Sequence, residues 1–170
     1  QEEQVAAYGA VFEAFPGRKV VVRTLDAGAD KPLPFLTDTT EPNPALGVRG
    51  FRTDRSSPGV LGRQLEAIAI AAGAHEADVW VMAPMISTAE EAADFAVMCT
   101  GAGLTMPGVM IEVPAAALMA EAVLSRVRFA SLGTNDLTQY TMAADRQLGT
   151  LATLNDPWQP AVLQLIRRTV

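Results

Sequence analysis

Four apolar runs, each followed by turn residues and then by a segment with helical spacing, constrain this chain more than any other feature. They are "KVVVRTLD" from Lys19, "DVWVMAPM" from Asp78, "GVMIEV" from Gly108 and "FASLG" from Phe129. Runs rich in β-branched residues and lacking strict alternation are what strands buried on both faces look like. Between them, Val5, Tyr8, Phe12 and Phe15 recur at helical spacing, as do Leu61, Leu65, Ile68 and Ala72, and Val162, Leu163, Ile166 and Val170. Pro16-Gly17 closes the first helix. Ser87 with Glu90 predicts a capping box, and Pro114 opens the alanine-rich "AAALMAEAVL". "LGVRG" from Leu46 predicts a short additional strand, interrupted by Gly47 and Gly50. Residues 27–44, rich in Gly, Asp, Pro and Thr, read as a long loop over a strand end.

Such alternation builds parallel βα units, here four or five. An open doubly wound sheet and part of an eight-stranded barrel both satisfy it. No GxGxxG follows any of the runs, which weighs against the dinucleotide-binding version. The 170 residues are short for a whole barrel, typically ~250. Hydrophobic residues make up 49% of the chain and charged residues 19%, the balance of a folded domain. The net charge of -6 and the lack of clustered Lys and Arg argue against a nucleic-acid surface. The apolar runs are too short for a membrane span. A single cysteine and no secretory signal favour the cytoplasm.

Polar groups sit at or just past the ends of several runs: Arg23 in "VVVR", Glu112 in "VMIE", Asn135 and Asp136 in "SLGTND". Arg49 in "LGVR" joins them if that stretch is a strand. Parallel strands present their C-terminal ends on one face, where barrel enzymes place their sites. Two carboxylates from separate strands suit Mg²⁺, which leaves its other positions to water and phosphate. Arginine forks match carboxylate and phosphate oxygens, and Asn135 offers a donor beside Asp136. The ligand expected is small, anionic and phosphorylated. Each residue has a plainer reading: Arg23 paired with Asp26 or Asp30, Glu112 salt-bridged, Gly-Thr-Asn-Asp a turn. Their convergence at one end of successive strands outweighs these. His75 reads as a charge at a helix end, Cys99 as packing, and Met82 and Met85 as core.

"VVVRTLDAGADKPLPF", "NPALGVRG", "VMAPM", "GVMIEVPAAA" and "SLGTNDLTQYTMAADR" resemble, in that order, the C-terminal domain of enzyme I of the phosphoenolpyruvate:sugar phosphotransferase system. The likeness runs from about Tyr8 to Val170. Pyruvate phosphate dikinase and phosphoenolpyruvate synthase share the Thr-Asn-Asp-Leu-Thr-Gln type of motif. The resemblance implies a (β/α)₈ barrel that binds phosphoenolpyruvate and Mg²⁺ and mediates dimerisation. It implies Glu112 and Asp136 as Mg²⁺ ligands, with Arg23, Arg49, Asn135 and Arg146 holding phosphoenolpyruvate. The parent enzyme would pass the phosphoryl group to its own histidine and then to HPr.

The departures shape the rest of the expectation. The "RTEFLF"-type motif of the first barrel strand and the "CGE"-type motif with its proton-donor cysteine are absent, as is the phosphohistidine domain. The chain is therefore expected to be one incomplete barrel domain over residues 1–170, roughly strands two to six. It would have no catalytic residue of its own, would be incomplete as a catalyst, and would form a homodimer or other homo-oligomer. A non-catalytic assembly module and a Mg²⁺-dependent lyase barrel of the citrate-lyase type stay open as alternatives. "GTNDLTQY" argues against the lyase.

Overall fold

The apolar runs form four parallel strands: β1 (Lys19–Arg23), β2 (Asp78–Ala83), β3 (Pro107–Ile111) and β4 (Phe129–Leu132). The structure is a computed structural model that describes residues 1–27, 33, 36, 38 and 40–170. Helix α1 (Glu2–Glu13) precedes β1. Next come α2 (Thr53–Ser56) and α3 (Val60–Gly73) before β2, α4 (Ala89–Gly101) before β3, and α5 (Pro114–Leu118) with α6 (Ala120–Leu124) before β4. The chain then continues through α7 (Thr134–Met142) to α8 (Pro160–Thr169).

The strands pair in chain order, β1-β2-β3-β4, every neighbour parallel. A doubly wound sheet reverses its order at a switch point; this one never does. The monotonic order, with helices between successive strands, is that of a partial (β/α)₈ barrel. Five β1 residues pair with β2, from Lys19 opposite Asp78 to Arg23 opposite Met82, which leaves no gap for a strand between them. The expected "LGVRG" strand is therefore absent. Its residues lie between short 3₁₀ turns at Pro44–Leu46 and Gly50–Arg52, and Gly50 at φ 56° turns the chain out of an extended path. The count among the described residues is four strands rather than five. Half of the predicted 27–44 loop, Asp30 included, falls outside the described residues.

One face of the sheet packs under the helices. Val81, Ala83, Val109 and Ile111 are fully buried against Leu65 and Ile68 of α3, Phe95 and Cys99 of α4, and Ala116, Ala117 and Val123 beyond β3. Burying each large aliphatic or aromatic side chain contributes about 1.5–3 kcal/mol. His75 follows α3, and a Cβ on Gly9 of α1 would lie 3.1 Å from its Nε2, so it packs against that helix. At the opposite end of the sheet from the site, Lys19 Nζ lies 3.4 Å above the Trp80 ring, and Trp80 meets Phe129 at 4.9 Å. Gly108, between β2 and β4, makes room for this pair: a Cβ there would come within 2.3 Å of the Phe129 ring.

Two local details differ from expectation. The α4 cap is Thr88, whose hydroxyl accepts from the Glu91 amide at 3.1 Å, while Glu91 accepts from the Ser87 amide at 2.8 Å. The box is thus one residue later than Ser87 and Glu90. The alanine-rich helix breaks in two at Met119, where φ is -105° and ψ 28°.

Candidate active site at the strand ends

Glu112 follows β3 immediately, and its side chain is 1% exposed. Its Oε1 accepts a 2.8 Å hydrogen bond from the Met85 amide just beyond β2. Met85 holds φ 60°, a left-handed conformation that costs a non-glycine residue roughly 1–2 kcal/mol. Gly50 closes over it; a Cβ at Gly50 would sit 2.8 Å from the Met85 Cβ and 3.0 Å from the Pro84 carbonyl oxygen. That carbonyl accepts from the Phe51 amide at 3.2 Å. The segment carrying Arg49 is thereby pinned to the end of β2.

The residues after β4 explain the abrupt "SLGTND". Gly133 is the N-cap of α7, so Asn135 and Asp136 occupy its first turn rather than a plain turn. A Cβ at Gly133 would lie 2.4 Å from Glu112 Oε2 and 2.6 Å from Glu112 Cβ, so glycine is what lets the two strand ends approach. The first-turn amides of α7 carry partial positive charge and favour anions. Asp136 is buried there, while Asn135 stays exposed.

A row of alternating charges crosses the site. Arg23 Nη1 lies 4.0 Å from Asp26 Oδ2. Arg49 donates to both oxygens of Asp26, from Nε at 3.1 Å and Nη2 at 2.7 Å. It also donates to both oxygens of Asp136, at 3.0 and 3.4 Å, and Arg146 Nη1 reaches Asp136 Oδ2 at 3.4 Å. Side-chain exposure along the row runs 37% for Arg23, 5% for Asp26, 2% for Arg49, 7% for Asp136 and 24% for Arg146. Arg49 also donates to the Tyr140 hydroxyl at 3.1 Å, and that hydroxyl donates to the Ala45 carbonyl.

Arg23, Asp26, Glu112, Asn135, Asp136 and Arg146 line one cleft of about 240 Å³. Of the six site residues expected from sequence, five meet there, and Arg49 lies behind them. Burial pushes the Glu112 carboxyl up to about 7, with the Asp136 and Asp26 charges adding to the rise against the Met85 hydrogen bond. Burial alone would lower the Arg49 guanidinium, but Asp26 and Asp136 outweigh it and hold it above its usual value. Burial also raises the Tyr140 phenol. Among the described residues no three His, Cys, Asp or Glu side chains gather tightly enough to hold a metal unaided. Two carboxylates completed by water and an anionic ligand remain a suitable Mg²⁺ donor set.

Sequence reading missed three participants. Asp26 was legible as a partner for Arg23, yet its short bonds go to Arg49. The Met85 amide and the bridging role of Tyr140 had no local signal. Cys99 is fully buried, and burial pushes its thiol up to about 12, as a packing residue requires. Among the described residues no helix is long and apolar enough to cross a membrane.

The family model described as the phosphoenolpyruvate-binding domain of phosphoenolpyruvate-utilising enzymes matches residues 1–170. The phosphoenolpyruvate-protein phosphotransferase of Streptomyces coelicolor is 57% identical over 167 residues, covering 98% of this chain and 30% of that protein. A protein of the same name from Haloferax volcanii is 43% identical over 183 residues, covering 100% of this chain and 32% of that one. The multiphosphoryl transfer protein of Rhodobacter capsulatus is 42% identical over 176 residues, covering 100% of this chain and 21% of its own length. The chain spans less than a third of the length of these curated relatives. Matched from end to end by the domain model, and folded so that its motif residues meet at the strand ends, the chain belongs to the phosphoenolpyruvate-utilising enzyme family.

Proposed function

We propose that the cleft binds phosphoenolpyruvate together with Mg²⁺. The observation carrying this reading is the convergence of two partly exposed arginines, Arg23 and Arg146, on a cleft that also holds Glu112, Asp136 and the first turn of α7. Arg23 and Arg146 present planar donors to phosphate and carboxylate oxygens, and Asn135 adds a donor. Glu112 and Asp136 would hold the metal, whose charge would offset that of the bound phosphate. The fit rests on the donor chemistry: Glu112 and Asp136 are both buried, and a divalent cation would relieve the burial and neighbouring negative charge that oppose ionisation of Glu112.

Within a longer protein of the relatives' kind, the phosphoryl group would pass to a histidine on another domain and then to HPr. On this reading the setting is cytoplasmic. The chain's one histidine packs against Gly9 and its one cysteine is buried, so these residues leave the cleft to bind and orient its ligand. A homo-oligomer belongs to the same reading. Calorimetric titration of the chain with phosphoenolpyruvate, with and without Mg²⁺, tests the proposal. Saturable binding that tightens with Mg²⁺ is expected; no binding in either condition would overturn it.

A further inference from the structure

Arg49 has the character of an arginine already fully occupied. A guanidinium offers five N–H donors, and all five have partners. The Nε proton goes to Asp26 Oδ1, the Nη1 pair to Asp136 Oδ1 and Tyr140 Oη, and the Nη2 pair to Asp26 Oδ2 and Asp136 Oδ2. Its side chain is 2% exposed and does not line the cleft; it borders a separate cavity of about 110 Å³ instead. To grip a ligand in the cleft it would have to release a buried carboxylate, and stranding a buried charge is strongly unfavourable. The outer arginines differ in that both line the cleft and are partly exposed, Arg23 at 37% and Arg146 at 24%.

We propose that Arg49 is a positioning residue, which sets the orientation of the Asp136 carboxylate without touching the ligand. The arrangement fits that role. Two oxygens of Asp136 are gripped by two nitrogens of one rigid, planar group, which restrains rotation of the carboxylate about its terminal bond. Tyr140 fixes the guanidinium from the far side and ties it to the Ala45 carbonyl, while Gly50 and Phe51 anchor the backbone next to it. Asp26, held at both oxygens by the same guanidinium, keeps it from following Asp136 into the cleft. Residues that orient a metal ligand typically change metal affinity about 10–100-fold when altered.

The inference rests on reading the cleft as a phosphoenolpyruvate and metal site, and the test separates the two. Mn²⁺ affinity is measured by electron paramagnetic resonance, and metal-free phosphoenolpyruvate affinity by calorimetry, for the chain and for Arg49→Lys, Tyr140→Phe and Arg23→Lys. Arg49→Lys keeps the charge but loses the fork, so Mn²⁺ affinity should fall about 10-fold with metal-free binding unchanged. Tyr140→Phe, uncharged and mild enough to preserve folding should Arg49→Lys not fold, should move Mn²⁺ affinity in the same direction by a smaller factor. Arg23→Lys should do the reverse and weaken metal-free binding. If Arg49→Lys or Tyr140→Phe weakens metal-free binding as Arg23→Lys does, or if neither changes Mn²⁺ affinity, the positioning role is wrong and the function stands. Failure of the unaltered chain to bind either ligand would remove the function and the inference with it.

Discussion

The Met85 amide, on a residue turned into the left-handed region at φ 60°, donates to Glu112 Oε1 at 2.8 Å. That bond joins the ends of β2 and β3 and holds a buried carboxylate at the mouth of the sheet. That backbone amide favours ionisation of Glu112, as does the positive charge of Arg49. Burial and the charges of Asp136 and Asp26 oppose it.

This opposition predicts a pH dependence. The Glu112 carboxyl is raised from 4.5 to about 7 in the folded chain. Its contribution to stability is fully present below about pH 4.5 and is lost as pH rises towards about 7, because only the folded state keeps the proton in that window. The loss is roughly 3 kcal/mol at most. Urea unfolding of the metal-free chain across that window should show a falling midpoint, and Glu112→Gln should flatten it. A midpoint that rises over the same window in both proteins would contradict the assignment.

Metal binding is the second expectation. With phosphoenolpyruvate present, Asp136→Ala should weaken Mg²⁺ binding by at least tenfold, about 1.4 kcal/mol. It should also destabilise the fold, since Arg49 and Arg146 lose a carboxylate partner. Calorimetry gives the first effect and thermal melting the second. An unchanged isotherm would remove Asp136 from the metal site.

Gly133→Ala offers a steric test. The new Cβ would fall 2.6 Å from Glu112 Cβ, an atom that cannot move without its backbone. Glu112 or the start of α7 must shift, at a cost of about 1–3 kcal/mol. Reduced thermal stability together with weakened Mg²⁺ binding is expected. Wild-type values for both would mean that the two strand ends are less tightly apposed.

Cys99 should be chemically silent. Its thiol is fully buried and pushed up to about 12, so little thiolate exists at neutral pH. Labelling by a soluble disulfide reagent should be slow until urea unfolds the chain. Cys99→Ala should lower stability while leaving phosphoenolpyruvate binding unchanged. Rapid labelling of the native protein would be incompatible with this packing.

The outer edges of β1 and β4 have no strand partner among the described residues, and Val21 of β1 is 45% exposed. Such edges favour pairing with another chain. Light scattering over a dilution series should find a homo-oligomer, most simply a two-fold dimer. A well-folded monomer at micromolar concentration would refute the expectation.

The sequence made legible the four strands, the helical segments between them and the end of the sheet at which chemistry collects. Those are local or periodic properties: β-branched runs at Val20–Val22, helical spacing at Leu61, Leu65 and Ile68, and proline at Pro114 and Pro160. It also placed Arg23, Glu112, Asn135 and Asp136 together, because parallel strands carry their C-terminal residues to one face whatever lies between them. The rest depended on how the folded chain packs. "LGVRG" has the look of a strand, but β1 and β2 pair directly and Gly50 turns over Met85, so Arg49 arrives from a loop and behind the cleft. Its partners Asp26, Asp136 and Tyr140 lie 23, 87 and 91 residues away. No periodicity or propensity encodes such distances. They follow from sheet order and close packing, which bring those carboxylates and that hydroxyl within reach of one buried guanidinium only once the whole chain has folded.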